Sequence, residues 1–101
     1  MTSEEVLPDP DNVTDLAEFC AKLGDLPTAE DYQRQALELS RTLGARRIEA
    51  FTLGNLGEIL VERGDYVSAR ACLQESLDVF TEIGDSHVEE ARERLRKVET
   101  R

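Results

Sequence analysis

The chain has 101 residues, of which 40% are hydrophobic and 34% charged, a composition that is typical of one globular domain and excludes a fibrous or wholly disordered protein. No apolar run approaches the roughly 20 residues of a membrane-spanning helix, and the acidic N-terminus lacks the features of a signal peptide, so we expect a cytoplasmic protein without membrane contact. The net charge of −10 disfavours nucleic acid as a partner, because clusters of Lys and Arg bind phosphate backbones.

A repeat of 40 residues organises the sequence. The offset relates several identical pairs: Leu16 and Leu56, Glu18 and Glu58, Gly24 and Gly64, Asp25 and Asp65, Ala29 and Ala69, Leu37 and Leu77, and Gly44 and Gly84. Such a period is typical of helical solenoids, in which each repeat forms one unit that stacks on the next. We therefore expect the chain to fold as stacked helical units.

The first repeat opens with a helix that is predicted from its termini. Asp9 suits the N-cap, and Pro10 suits the first helical position, where a missing N–H is harmless. The helix is expected to run to Gly24. Residues 1–8 precede its cap and are predicted to form a flexible segment.

The second helix of this repeat is predicted between Asp25, as its N-cap, and Gly44. Pro27 falls in its first turn, which tolerates a residue without an N–H. Gln33 and Ser40 make this helix more polar than its counterpart in the second repeat, as is expected of a terminal repeat.

The second repeat shows the same arrangement. Its first helix, which ends near Gly64, carries apolar residues at three- and four-residue steps: Ile48, Phe51, Leu53, Leu56, Ile59 and Leu60. Asp65 suits the N-cap of the next helix, which ends at Gly84. The apolar stripe of that helix consists of Ala69, Leu73, Leu77 and Phe80.

A fifth helix is predicted at the C-terminus. Ser86 and Glu89 have the spacing of a capping box, in which each side chain bonds the backbone N–H of the other residue. The apolar stripe that follows is narrow and consists of Val88, Ala91, Leu95 and Val98. A helix that is polar on all but one side is typical of the end of a solenoid.

Four groups of residues in the second repeat carry a family resemblance: Asn55-Leu56-Gly57, Gly64-Asp65-Tyr66, Ala69 and Ser76-Leu77. At these positions the chain resembles the tetratricopeptide repeat (TPR), and its period is similar to the long repeats of kinesin light chain and bacterial regulators. The resemblance covers residues 11–85. It implies an all-α fold, a short α-solenoid that forms one domain: two helical hairpins over residues 9–44 and 45–84, and a capping helix over residues 85–101.

Small residues are expected where the two helices of each hairpin cross closely. Gly57 and Ala69 provide them in the second repeat, and Ala17 and Ala29 in the first. Ala17 stands where the family pattern has a glycine, so the first repeat departs from the pattern at this crossing.

The resemblance implies that the protein binds a peptide segment of a partner protein in a concave groove, lined by the first helix of each repeat. The matching positions are Asp11, Thr14, Asp15, Glu18, Ala21 and Lys22 in the first repeat, Phe51, Gly54, Asn55, Glu58, Val61 and Glu62 in the second, and Arg94, Leu95 and Val98 in the last helix. Asn55 has an amide that can bond both the N–H and the C=O of a peptide, although helix packing explains an amide at this position equally well.

The charge of the expected ligand follows from the same positions. The TPRs that bind acidic C-terminal tails clamp the terminal carboxylate with Lys and Arg, whereas this chain has Thr14 and Glu18 in that region. We therefore expect a neutral or basic protein segment as the partner, with apolar anchors near Phe51 and Val61, and no cofactor.

Catalytic groups are scarce in the sequence. His87 is the only histidine and is expected to be a solvated residue in the first turn of the last helix. Cys20 and Cys72 lack metal-ligand spacing and fall within helical patterns, where a small apolar side chain packs. The sequence therefore predicts a protein that is not an enzyme and holds no metal.

Two other interpretations remain open. In the first, the chain is a self-associating structural module, because no predicted helix covers the apolar residues Leu16, Phe19, Cys20 and Leu23 of the first helix. Contact through this helix would give a homodimer. In the second, the chain is a detached sensor segment of a larger TPR-containing regulator, although Met1 and the capping helix favour a complete chain.

Overall fold

The structure, a computed structural model, describes residues 10–100 and their side chains from Val13 onward. The described residues form five helices and no strand: α1 Pro10–Lys22, α2 Leu26–Leu43, α3 Arg46–Glu62, α4 Tyr66–Ile83 and α5 Val88–Glu99. Each helix packs against the next one along the chain, and α1 also contacts α3. The predicted all-α solenoid is therefore confirmed. Within the same residues, no helix is long and apolar enough to cross a membrane.

The turns inside the two hairpins are capped as predicted. Asp25 accepts a hydrogen bond from the backbone N–H of Thr28 at 3.3 Å, and Asp65 accepts one from the N–H of Ser68 at 3.1 Å. Each carboxylate pairs an amide that the first helical turn leaves free, and the bond from Ser68 lowers the pKa of Asp65.

The predicted bounds of α1 can be compared with the structure at the C-terminal end only. The predicted cap Asp9 and the predicted flexible segment, residues 1–8, lie outside the described residues. At its other end, α1 stops at Lys22, slightly before the predicted end at Gly24.

The turns that follow α2 and α4 require glycine. Gly44 and Gly84 are the C-cap residues, with φ of 67° and 68°, a left-handed conformation in which a Cβ atom would crowd the neighbouring carbonyl. Their N–H groups donate to the carbonyl oxygens of Arg41 and Thr81, each at 3.2 Å. These bonds satisfy acceptors that the last helical turn leaves free.

Helix α3 is the central element of the core, and nine of its 17 residues are buried: Glu49, Ala50, Thr52, Leu53, Gly54, Leu56, Gly57, Ile59 and Leu60. Leu53 and Leu56 form an apolar cluster with Leu37 of α2 and Ala69 of α4. Full burial of one such leucine contributes about 2 kcal/mol to stability. The two hairpins are thus held together mainly through α3.

Helices α3 and α4 cross closely at Gly57. A Cβ atom on this residue would lie 2.7 Å from both Cγ and Cδ2 of Leu73 and 3.4 Å from the carbonyl oxygen of Ala69. The first two distances are far shorter than a favourable carbon–carbon contact of about 3.5–4.0 Å. The expected need for a small residue at this crossing is confirmed, and its first-repeat counterpart Ala17 is fully buried.

Gln33 and Ser40, which were expected to make α2 more polar as in a terminal repeat, are both buried, with 1% and 0% exposed, so they add no polar group to the surface. The Ser40 hydroxyl donates to the carbonyl oxygen of Leu37 at 2.8 Å, so it is satisfied within the helix. The Gln33 side chain differs, since its Oε1 is buried and accepts no hydrogen bond. An unpaired buried amide oxygen destabilises a fold.

The start of α5 also differs from the prediction. The N-cap is His87 instead of Ser86, and its side chain makes no capping bond, so the predicted capping box with Glu89 is wrong. Asp85 takes its place: its Oδ1 accepts a bond from the backbone N–H of His87 at 2.9 Å and lies 2.6 Å from Nδ1 of the same residue. A charged carboxylate is a stronger acceptor than a serine hydroxyl.

His87 is half-buried and is not the solvated residue that the sequence predicts. Its ring centroid lies 4.6 Å from that of Phe51 and 5.6 Å from that of Phe80, so it completes an aromatic cluster between α3 and α4. The Nε of Arg47 donates to Oδ2 of Asp85 at 2.7 Å. The bonds from His87 and then from Arg47 hold the pKa of Asp85 well below its usual range.

The apolar stripe of α5 is buried, as predicted. Ala91, Leu95 and Val98 are largely inaccessible to solvent, and Leu95 and Val98 pack against Leu73 of α4. The remaining α5 side chains are exposed or half-buried. The helix therefore covers one end of the core and presents charged groups to water, which is what a terminal helix of a solenoid must do.

A buried carboxylate joins three helices. Glu49 of α3 is 4% exposed, and its two oxygens accept bonds from Nε of Arg41 at 3.2 Å and from Nη1 of Arg46 at 3.0 Å. Arg41, which belongs to α2, also donates to Glu75 of α4 at 2.7 Å, and Arg46 pairs with Glu82 of α4. The network thus connects α2, α3 and α4.

Candidate functional site

Two hollows lie on either side of α3. The narrow hollow, between α1 and α3, has a volume of about 130 Å³ and is lined by Glu18, Ala21, Gln33, Asn55, Glu58, Ile59 and Glu62. The wide hollow, between α3 and α5, has a volume of about 370 Å³ and is lined by Glu58, Val61, Glu62, Leu73, Arg94, Lys97 and Val98. Glu58 and Glu62 line both hollows, which therefore form one surface, called here the concave face.

The helical period explains why these residues share a surface. Asn55, Glu58 and Glu62 are three and four residues apart on α3 and so project from one side of the helix. Glu18 and Ala21 are three apart on α1 and line the narrow hollow with them. The second helix of each hairpin also supplies one lining residue, Gln33 of α2 in the narrow hollow and Leu73 of α4 in the wide one.

The two hollows are equivalent sites of successive repeats. The 40-residue offset relates Glu18 to Glu58, Ala21 to Val61, Gln33 to Leu73 and Glu58 to Val98, and in each pair the first residue lines the narrow hollow and the second the wide one. The narrow hollow therefore has an amide and a carboxylate where the wide hollow has two apolar side chains. Equivalent positions of the two hollows thus carry side chains of different polarity.

The wide hollow carries both signs of charge. Glu58 and Glu62 of α3 face Arg94 and Lys97 of α5 across an apolar base that includes Leu73. The Nε of Arg94 lies 3.2 Å from Oε2 of Glu58, so this ion pair joins the two sides. Such a pair on an accessible surface is worth little in stability and can exchange partners with a ligand.

Gly54 allows Arg94 to approach α3. A Cβ atom on Gly54 would lie 2.8 Å from Nη1 of Arg94, so any larger residue would displace the guanidinium. Arg94 also lies 3.4 Å from Glu90, one turn earlier on α5. The glycine thus positions the cation of the wide hollow.

The narrow hollow is acidic and polar. Within residues 13–100, Glu18 and Glu62 make no ion pair, whereas Glu58 is paired with Arg94. Asn55 is half-buried in the wall and its amide has no hydrogen-bond partner among the same residues. The buried Gln33 amide lies against this hollow with its Oε1 unpaired. No group of His, Cys, Asp and Glu in the described chain is arranged to hold a metal ion.

Eight of the positions singled out in the sequence meet on the concave face: Glu18, Ala21, Asn55, Glu58, Val61, Glu62, Arg94 and Val98. In α1, Thr14 is half-buried while Asp15 and Lys22 are exposed, and as far as the described side chains show, none of these three lines either hollow. Asp11 falls within α1, but its side chain lies outside the described residues.

Phe51 occupies a different environment from the one expected of a ligand anchor. Its ring centroid lies 5.0 Å from that of Phe80 and 4.6 Å from that of His87, both in edge-to-face geometry. The guanidinium carbon of Arg47 lies 4.9 Å from the same centroid. These contacts make Phe51 part of the core beneath the start of α5.

Sequence reasoning missed four residues of the concave face, Gln33, Ile59, Leu73 and Lys97. Gln33 and Leu73 lie on the second helix of each hairpin and reach the hollows from behind, so a search confined to the first helices overlooks them. The 40-residue offset gives a signal that could have identified Gln33. It aligns this residue with the core residue Leu73, and an amide is unusual at a core position.

The comparisons agree with this architecture. A family model described as tetratricopeptide repeat matches residues 11–82, which include all of α2 and α3 and nearly all of α1 and α4. Among curated proteins, none matches the chain. Helix α5 lies beyond the matched residues, in the position of a terminal helix. With more than half of its length matched, the chain belongs to the tetratricopeptide repeat family.

Proposed function

We propose that the concave face binds a peptide segment of a partner protein. TPRs are in general protein–protein interaction modules and form a non-enzymatic scaffold. The observation that favours this particular surface is the Asn55 amide, which is half-buried in the wall of the narrow hollow and has no partner of its own in the described chain. Such an amide can donate to a peptide carbonyl and accept from a peptide N–H.

The bound segment in this proposal is neutral or basic. Three glutamates line the narrow hollow, and the two cations of the wide hollow are offset by two of the same glutamates. An acidic peptide or a nucleic acid would meet unfavourable charge on this surface. The same proposal places the interaction in the cytoplasm, where Cys20 and Cys72 remain as thiols.

The test uses a library of N-acetylated, C-amidated nonapeptides, with binding measured by fluorescence anisotropy. Asn55→Ala should weaken the selected peptides by about tenfold, because each lost hydrogen bond contributes roughly 0.5–1.5 kcal/mol. The control is Gln35→Ala on the exposed side of α2. Equal affinity of the Asn55 and Gln35 variants, or selection of acidic peptides, would contradict the proposal.

A second candidate function is self-association through α1. Leu16 and Phe19, three residues apart on one side of α1, are 47% and 61% exposed, and Leu23, which directly follows α1, is 69% exposed. Nothing in the described chain covers them. Isologous contact through this side would bury them in a homodimer and leave the concave face accessible, so the two candidates do not exclude each other.

A further inference from the structure

We propose that the narrow hollow binds the cationic end of a lysine or arginine side chain of the partner peptide. This assignment rests on the proposed peptide binding and names the residue type that one part of the concave face selects.

The first observation is the Gln33 amide. Its side chain is 1% exposed, lines the narrow hollow, and has an Oε1 that accepts no hydrogen bond. A half-turn of the amide exchanges Oε1 and Nε2, so the group can present its acceptor to the hollow without moving the helix. A ligand that donates an N–H would satisfy the oxygen and remove the cost of its burial.

The second observation is the surrounding charge. Glu18 and Glu62 stand at the hollow on opposite helices and make no ion pair within the described residues, while Glu58 is engaged by Arg94. Acceptors from three helices thus converge on one small space. An ammonium or guanidinium group supplies several N–H donors and the compensating positive charge.

The third observation is the contrast with the wide hollow. Where the narrow hollow has Gln33 and Glu58, the equivalent positions of the wide hollow have Leu73 and Val98. The wide hollow suits an apolar side chain, and the narrow one a polar donor. A volume of about 130 Å³ is several times the roughly 30 Å³ of a water molecule, which admits the end of one side chain.

The first experiment tests the hollow without any peptide. The probes are n-butylammonium, n-butylguanidinium and neutral n-butanol, titrated against the full chain while the side-chain amide signals are followed by ¹H–¹⁵N NMR. The Gln33 signals are identified by their loss in Gln33→Met, an unbranched replacement of similar shape. Both cations should shift these signals, and butanol should not. Equal shifts with butanol would overturn the proposal.

Matched variants separate recognition from stability. Gln33→Met should weaken cation binding by about tenfold, as expected for a lost bond to a charged donor. The control is Thr52→Val, which removes another buried, unpaired oxygen away from the hollow and should leave cation binding unchanged. The exposed pair Glu18→Gln with Glu62→Gln gives a second test if Gln33→Met fails to fold. Unchanged cation affinity in these variants would overturn the assignment.

Peptides then separate the assignment from the function on which it rests. Nonapeptides with a central Lys, Arg or norleucine are compared on the wild-type chain and on Gln33→Met. If the wild-type chain prefers Lys or Arg over norleucine by about tenfold and Gln33→Met loses this preference, the result supports both the cation site and peptide binding. Peptide binding without that preference overturns the assignment and keeps the function. Cation binding without peptide binding supports the hollow as a cation site and overturns peptide binding.

Discussion

At the scale of single residues, the close crossing at Gly57 predicts a sharp sensitivity to one methyl group. Gly57→Ala would place a Cβ 2.7 Å from Leu73, and relieving this overlap should lower the free energy of unfolding by about 1–3 kcal/mol. Urea denaturation followed by circular dichroism measures the loss. The control is Gly54→Ala, whose Cβ would crowd only the flexible guanidinium end of Arg94 and lie at an ordinary contact distance of 3.5 Å from Oγ of Ser76, so it should destabilise less. Equal losses would contradict the packing account.

The first repeat predicts the reciprocal effect. Ala17 and Gln33 occupy the positions of Gly57 and Leu73, and both are buried. A glutamine is unbranched at Cγ, whereas a leucine there would meet the Ala17 methyl. We expect Gln33→Leu to destabilise by about 1–3 kcal/mol.

Adding Ala17→Gly to Gln33→Leu should recover most of that stability, since the pair then reproduces the second repeat. A double-mutant cycle of unfolding free energies measures the coupling between the two residues. Additive effects of the two substitutions would show that the residues do not compete for the same space.

At the scale of elements, Asp85 predicts how the attachment of α5 depends on pH. Its folded-state pKa lies below the unfolded value of about 3.9. The stability it contributes is therefore present above that value and is lost as the pH falls toward the folded pKa. The difference in unfolding free energy between wild type and Asp85→Asn should be largest at pH 5–7 and shrink toward pH 2.

The control for this experiment is Asp31→Asn, because Asp31 is exposed. Its difference from wild type should stay small over the same pH range. A constant difference for Asp85→Asn would show that the carboxylate charge does not hold the start of α5.

The Glu49 network makes a second prediction at this scale. Glu49→Gln keeps the shape of the side chain but turns an amide N–H toward Arg41 or Arg46, so one guanidinium loses its buried acceptor and keeps only its partner on α4, Glu75 or Glu82. Because Glu49 is buried, we expect a loss of about 1–3 kcal/mol in thermal or urea unfolding. Glu38→Gln on the exposed side of α2 should have almost no effect. Equal losses of stability in the two variants would show that the network does not stabilise the fold.

The capped turns show which features sequence reasoning can reach. Asp25 and Asp65 were predictable as caps because a cap depends on residues within one turn. The start of α5 was not, since Asp85 competes with Ser86 and gains its advantage from Arg47 on a different helix. The burial of Gln33 was not predictable for the same reason, because neighbouring helices decide it and not its own polarity.

At the scale of the whole molecule, the exposed side of α1 predicts a dependence on concentration. If Leu16, Phe19 and Leu23 mediate a homodimer, sedimentation equilibrium should show a monomer–dimer equilibrium, and the midpoint of thermal unfolding should rise with protein concentration. Phe19→Glu should abolish both effects. Val67→Glu is the matched control, because Val67 is also highly exposed but lies on α4. A monomer at every concentration would exclude self-association.

The shared position of Glu58 has a consequence for the molecule as a whole. One of its oxygens faces Arg94 of α5, yet the same side chain borders the narrow hollow. A cation bound beside α1 in the proposed way would share this carboxylate with Arg94, so the two hollows would be thermodynamically linked. By reciprocity, a ligand of the wide hollow that changes the affinity for that cation would have its own affinity changed by the cation by the same factor. Occupancy of one hollow would then change the affinity with which the other hollow binds its part of the ligand.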